Sequence, residues 1–123
     1  MTKYFYYNRN PNYVHITDCV CRAISTATGL KYDVINRLLE LVATTYECDK
    51  LCVCCYKYLL SNVFGYKKYY CNNNETVLSL ARKYRHNTLI IRIDTHLTCA
   101  IDGNIYDIWD CSDELVDCFW VVK

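Results

Sequence analysis

The sequence predicts an α+β fold, with helices first and an antiparallel sheet at the end. Three observations predict it. Apolar residues recur at helical spacing between about residues 19 and 84. From Thr88 onward the chain breaks into short segments rich in β-branched and aromatic residues. Between two of those segments lies Asp102-Gly103, a strong short-range hairpin signal. Helices followed by paired strands is the α+β order, and 123 residues suit one domain, 1–123, with one sizeable core.

In chain order, Lys3 to Tyr7 is β-prone and reads as an edge strand, followed by the loop Asn8-Arg9-Asn10-Pro11-Asn12. Thr17 or Asp18 is a suitable N-cap for a helix from Cys19 to Thr28, which Gly29 ends. A second helix runs from about Tyr32 to Ala43. It carries Val34, Ile35, Leu38, Leu39, Leu41 and Val42 at helical spacing, with Arg37 and Glu40 outside. A third, from about Lys50 to Val63, is apolar nearly all round and stops before Gly65. A short strand, Tyr66 to Cys71, leads into Asn72-Asn73-Asn74, and Asn74 can cap a fourth helix from Glu75 to Tyr84. Four strands then form a meander: Thr88 to Ile93, His96 to Ile101, Ile105 to Trp109 and Val116 to Val122.

Composition removes several classes of function. Fourteen Lys plus Arg against thirteen Asp plus Glu leave a formal charge of +1, without the basic face expected of a nucleic-acid partner. Three Gly leave little for a phosphate-cradling loop. No apolar run approaches the roughly 20 residues that cross a bilayer, and Met1 to Asn10 lacks the pattern of a secretory signal. The expectation is a cytoplasmic protein whose partners are proteins or peptides, with no nucleic acid and no membrane.

Ten cysteines are the anomaly. In a reducing compartment they stay as thiols, to serve as zinc ligands, nucleophiles or small buried hydrophobes. Cys48, Cys52, Cys54 and Cys55 are dense, but no C-x-x-C pair faces a second one. The spacing alone therefore predicts core filler, with no metal and no cofactor.

One constellation can carry chemistry. Cys19 falls at the first position of a helix, where the positive dipole end stabilises a thiolate, and Arg22 adds positive charge one turn on. Cys21 points roughly 200° away around that helix and reads as packing. His96 opens a strand, and Asp107 and Asp110 follow on the next: a nucleophile, a base and an acid to orient the base. A two-residue turn at Asp102-Gly103 pairs Ile101 with Asn104 and gathers His96, Thr98 and Asp107 on one face. A three-residue turn puts Asp110 opposite His96 instead. The first register segregates polar from apolar residues more cleanly, which favours Asp107 and leaves Asp110 as the alternative. The blander readings are a buried thiol, a solvated Arg22 and edge-strand carboxylates that discourage aggregation. His15 and His86 sit in loop-like contexts.

Two blocks of sequence resemble a known family. Asp18-Cys19-Val20-Cys21-Arg22-Ala23-Ile24 with Ala27-Thr28-Gly29, and later His96-Leu97-Thr98-Cys99-Ala100-Ile101-Asp102-Gly103-Asn104-Ile105-Tyr106-Asp107-Ile108-Trp109-Asp110, are similar to the motifs of small phage-encoded proteins of papain-like cysteine-peptidase type. The blocks cover about a third of the chain; the segment Cys48 to Tyr84 lies outside the resemblance. The resemblance implies a papain-like or transglutaminase-like fold, in which a first helix carries the Cys at its N-terminus and the helices pack on a C-terminal antiparallel sheet. It implies Cys19 as nucleophile, His96 as general base and Asp107 as orienter, in a cysteine hydrolase or acyltransferase acting on a peptide or isopeptide amide. A Gln ahead of the Cys, which better-known papain relatives use for the oxyanion, is not evident. A backbone N–H at the helix start, helped by Thr17, is the expected substitute. The other function compatible with the same fold is a non-catalytic binding protein that inhibits or occupies a host protein.

Overall fold

The computed structural model describes residues 2–9, 18–49, 52–72, 74–94 and 96–123. His15, Thr17 and most of the first predicted loop lie outside the described residues, as do the first two positions of the third predicted helix. The fold is α+β. Among the described residues there are four α-helices: α1 (Cys19–Thr28), α2 (Tyr32–Tyr46), α3 (Val53–Tyr58) and α4 (Val77–Lys83). Six strands make one sheet: β1 (Tyr4–Tyr6), β2 (Lys67–Tyr70), β3 (Thr88–Ile93), β4 (His96–Ile101), β5 (Asn104–Asp107) and β6 (Val116–Val121), in the order β1-β5-β4-β3-β6-β2. No helix among the described residues is long and apolar enough to cross a membrane.

The sheet splits the core into two layers. On one side, Ile24, Ile35, Leu39, Leu59 and Leu60 from the helices pack on Ile90, Leu97, Cys99 and Trp120. On the other, Val77, Leu80 and Ala81 of α4 pack on Leu89, Ile91, Ala100, Ile105 and Phe119. Alternate residues of β3 and β4 thus serve opposite layers, as the pleat requires. Shortening a fully buried aliphatic such as Leu39 to Ala costs about 2–5 kcal/mol.

The helix ends follow the local chemistry. Gly29 terminates α1 at φ 76°, its N–H donating to the Ser25 carbonyl at 3.0 Å. On α2, Ile35, Leu38, Leu39 and Val42 of the predicted apolar set pack inward, beside Tyr32 and Ala43; Val34 and Leu41 are exposed, so the buried stripe departs from the apolar pattern. The third helix becomes a π-helix over Leu59–Val63, which buries consecutive Leu59 and Leu60 and brings the Ser61 hydroxyl to the Trp120 indole N–H at 2.9 Å. The cap of α4 is Thr76 and not Asn74. The Thr76 hydroxyl accepts from the Ser79 N–H at 3.1 Å, while the Ser79 hydroxyl accepts from the Thr76 N–H at 2.9 Å.

Two features of the predicted sheet are corrected. The sheet is mixed, because β1 runs parallel to β5, with Tyr4 beside Ile105 and Tyr6 beside Asp107. The edge of β5 is thereby covered instead of being left as an open row of donors and acceptors. Nor do the last four strands form a simple meander: β6 returns to pair with β3, not with β5. The connection from β5 is tied to the start of α4, whose Val77 and Leu78 N–H groups donate to the carbonyls of Glu114 and Ser112, each at 3.0 Å. Those bonds satisfy donors that a helix start leaves open and aim the chain at the far side of β3.

Candidate active site

The β4–β5 hairpin turns in two residues, with Ile101 paired to Asn104 and Cys99 to Tyr106. Asp102 and Gly103 both have positive φ, 51° and 83°, as a type I′ turn demands. His96 is the first residue of β4 and Asp107 the last of β5, so the register brings them together at one end of the sheet. Their side chains meet: the His96 Nε2–H donates to Asp107 Oδ2 at 2.5 Å. Asp107 Oδ1 accepts from the Ile108 N–H at 2.7 Å, so both carboxylate oxygens are engaged. Asp110 does not take part. Its Oδ1 accepts from the N–H and hydroxyl of Ser112, at 3.1 and 2.5 Å.

Cys19, at the start of α1, comes to the same end of the sheet. Its half-buried sulfur lies close enough to the His96 side chain and the Leu97 backbone for both to favour its thiolate. With Nε2 held by Asp107, Nδ1 is the ring nitrogen left for the thiol. Burial pushes the Cys19 thiol up, but the neighbouring His96 and the Leu97 backbone outweigh it, and the thiol is held below its ordinary value. Burial likewise pushes His96 down. Its hydrogen bond to Asp107 and the nearness of Cys19 win and raise it to about 9. The arrangement favours a thiolate facing an imidazolium, with the Asp107 side chain behind the ring.

The neighbours of this row were not apparent from the sequence. Asp107 is gripped from β1, where the Tyr7 N–H and the Tyr4 hydroxyl both donate to its backbone carbonyl at 2.9 Å. Trp109 stands edge-to-face against the imidazole, ring centroids 5.1 Å apart at 75°. The two-residue register places Trp109 opposite His96, and that was the available signal. Arg22, expected to add charge beside Cys19, is only 6% exposed and pairs with Asp18, which also accepts from the Tyr32 hydroxyl at 2.6 Å. Besides burial, the largest influence on Arg22 is the charge of Asp107, so the guanidinium backs Asp107 and not Cys19. Cys21 is buried in the helix-side core, its S–H donating to the Tyr32 carbonyl at 3.3 Å. His86 is exposed.

Two groups of side chains could in principle hold a metal. The donor atoms of His96, Asp107 and Cys111 lie within 4.8 Å of one another. There the His96–Asp107 hydrogen bond already occupies the donors, and burial and Asp107 push the Cys111 thiol up to about 12, which fits a proton better than an ion. The second group is Cys48, Cys52 and Cys54, between α2 and α3.

Compared with known proteins, the chain matches no family model, and no curated protein or solved structure is significantly similar to it. The chemistry must be read from the geometry.

Proposed function

We propose that the protein is a cysteine hydrolase or acyltransferase of papain-like type, acting on a peptide or isopeptide amide through Cys19, His96 and Asp107. One observation carries the reading: an imidazole hydrogen-bonded to a buried carboxylate stands beside the Cys19 thiol at the start of a helix. A histidine that merely filled a strand end needs neither partner aligned in this way.

In the proposed reaction the Cys19 thiolate attacks the carbonyl carbon, a C–S bond forms, and the oxygen takes the negative charge. The proposed donor to that oxygen is a backbone N–H at the start of α1, where the first N–H groups of a helix have no intrahelical partner. The C–N bond then breaks as imidazolium passes its proton to the leaving amine. The neutral imidazole next takes a proton from water, or from an acceptor nucleophile, which attacks the thioester. The C–S bond breaks and the thiolate–imidazolium pair is restored. Asp107 stays ionised throughout, fixing the ring and stabilising its charge. The papain-like architecture and a phage origin belong to this proposal, through the two sequence blocks, as does a cytoplasmic location.

The test is acyl transfer from an activated peptidyl ester. Mass spectrometry should find an acyl group on Cys19 that hydroxylamine removes, absent from Cys19→Ala and formed on the order of 100-fold more slowly by His96→Gln. Acylation spread over other cysteines, or indifferent to His96→Gln, would refute the triad and leave a binding protein with an incidental thiol.

A further inference from the structure

A second thiol cluster lies outside the proposed triad. α2 ends at Glu47, a non-glycine residue held at φ 53°, in the left-handed region that costs side-chain-bearing residues energy. That turn carries Cys48 off the helix, its N–H donating back to the Ala43 carbonyl at 3.0 Å. Cys52 caps α3, and Cys54 lies in its first turn. The sulfurs of Cys48, Cys52 and Cys54 all lie within 4.8 Å of one another, and those of Cys52 and Cys54 are 2.7 Å apart.

Packing does not explain this convergence. Cysteine is among the most buried residue types, and Cys21, Cys55, Cys99, Cys111 and Cys118 conform. Cys54 is exposed, and Cys48 and Cys52 are only half-buried. Cys55, the remaining member of the run, turns into the core and donates to the Leu39 carbonyl at 3.3 Å. Cys48 and Cys52 border the helix-side hydrophobic cluster, yet their sulfurs converge with that of exposed Cys54. The linear spacing gives no sign of this, because the left-handed turn at Glu47 is what folds Cys48 back onto α3.

We infer that Cys48, Cys52 and Cys54 form a tris-thiolate site for a thiophilic metal ion, joining the end of α2 to the start of α3. Binding replaces three S–H protons with three metal–sulfur bonds and releases those protons. Three thiolates suit a three-coordinate Cu(I), or a tetrahedral Zn(II) whose fourth position is taken by an external ligand. The site shares no residue with Cys19, His96 and Asp107, and each can be refuted without the other.

The experiment titrates the reduced full-length chain with Co(II) under anaerobic conditions and follows the thiolate-to-metal charge-transfer absorption. Saturation at about one equivalent is expected, with displacement by Zn(II) or only by Cu(I) deciding which ion the site prefers. Cys48→Ser, Cys52→Ser and Cys54→Ser should each abolish saturable binding, while Cys19→Ser and Cys111→Ser retain it. Should a Ser variant misfold, alkylation mapping of the wild type decides: metal must protect Cys48, Cys52 and Cys54 together. The inference is overturned by absence of the band, by its survival in the three variants, or by its loss in Cys111→Ser.

Discussion

Replacing Asp107 by Asn keeps the shape of the side chain and removes its charge. In the wild type the carboxylate is the main influence holding the His96 imidazolium, which titrates at about 9 against an ordinary 6.5. Without it, only the neighbouring Cys19 opposes burial, and the ring falls toward its ordinary 6.5. At 6.5 the imidazolium population at pH 7.5 is roughly 10%, against roughly 97% at 9, and the Cys19 thiolate loses the partner that favours it. Alkylation of Cys19 by iodoacetamide at pH 7.5 should therefore slow by about tenfold in Asp107→Asn, its pH profile moving toward that of an ordinary thiol. Asp110→Asn, whose carboxylate serves only Ser112, should change the rate by less than about twofold. Circular dichroism and a thermal melt establish that both variants are folded. An unchanged Cys19 rate in folded Asp107→Asn would refute the reasoning, as would an equal effect from Asp110→Asn.

Limiting alkylation of the wild type should label Cys19 first and Cys52, whose thiol is also lowered, second. Peptide mapping that finds buried Cys99 or Cys118 labelled first would contradict the assigned burial. Gly103→Ala should destabilise the fold by about 1–3 kcal/mol in urea unfolding, because φ is 83° there and an added Cβ would lie 3.1 Å from the Arg85 Cβ. A midpoint shift corresponding to under ~0.5 kcal/mol would show that the turn relaxes freely. Arg22→Met should cost about 3–5 kcal/mol by leaving the Asp18 carboxylate buried without its cation, and Arg22→Lys less. Equal stability of the Met variant would mean that solvent reaches Asp18. The last prediction concerns pH. In a Cys19→Ala background, where only the imidazole titrates, the folded value of His96 remains above the unfolded one. Its stabilisation is then complete below pH 6.5 and is lost as pH rises through the folded value. The melting temperature should decline above pH 6.5, and His96→Gln in the same background should flatten that decline.

Much of the site was legible because its geometry is locally encoded. Asp102-Gly103 sets the hairpin register, and the register alone decides which acid meets His96. Gly29 and the apolar spacing before it place Cys19 at a helix start. What escaped is set by contacts distant in sequence or by competing local caps. A three-residue β1 carries no signal for a parallel partner about a hundred residues away. The return of β6 to β3 depends on where the loop after β5 meets α4. Arg22 reads as an exposed helix position because its partner, Asp18, lies just before the helix and reads as a cap. Thr76 outcompetes Asn74 because its hydroxyl stands three residues before the Ser79 N–H. The cluster of Cys48, Cys52 and Cys54 depends on one left-handed residue that no glycine marks.

The parallel pairing of β1 with β5 also bears on when the protein becomes competent during its own synthesis. Tyr4 and Tyr7 leave the ribosome about a hundred residues ahead of Asp107, whose carbonyl they hold. Their ordering must wait for that residue, a long loop closure that slows folding. An incomplete nascent chain can form α1 and expose Cys19 well before His96 and Asp107 exist to activate it. The lowering of the Cys19 thiol therefore arrives late, with β5 and its edge partner, and a ribosome stalled upstream of His96 would release a chain in which Cys19 is still an ordinary cysteine.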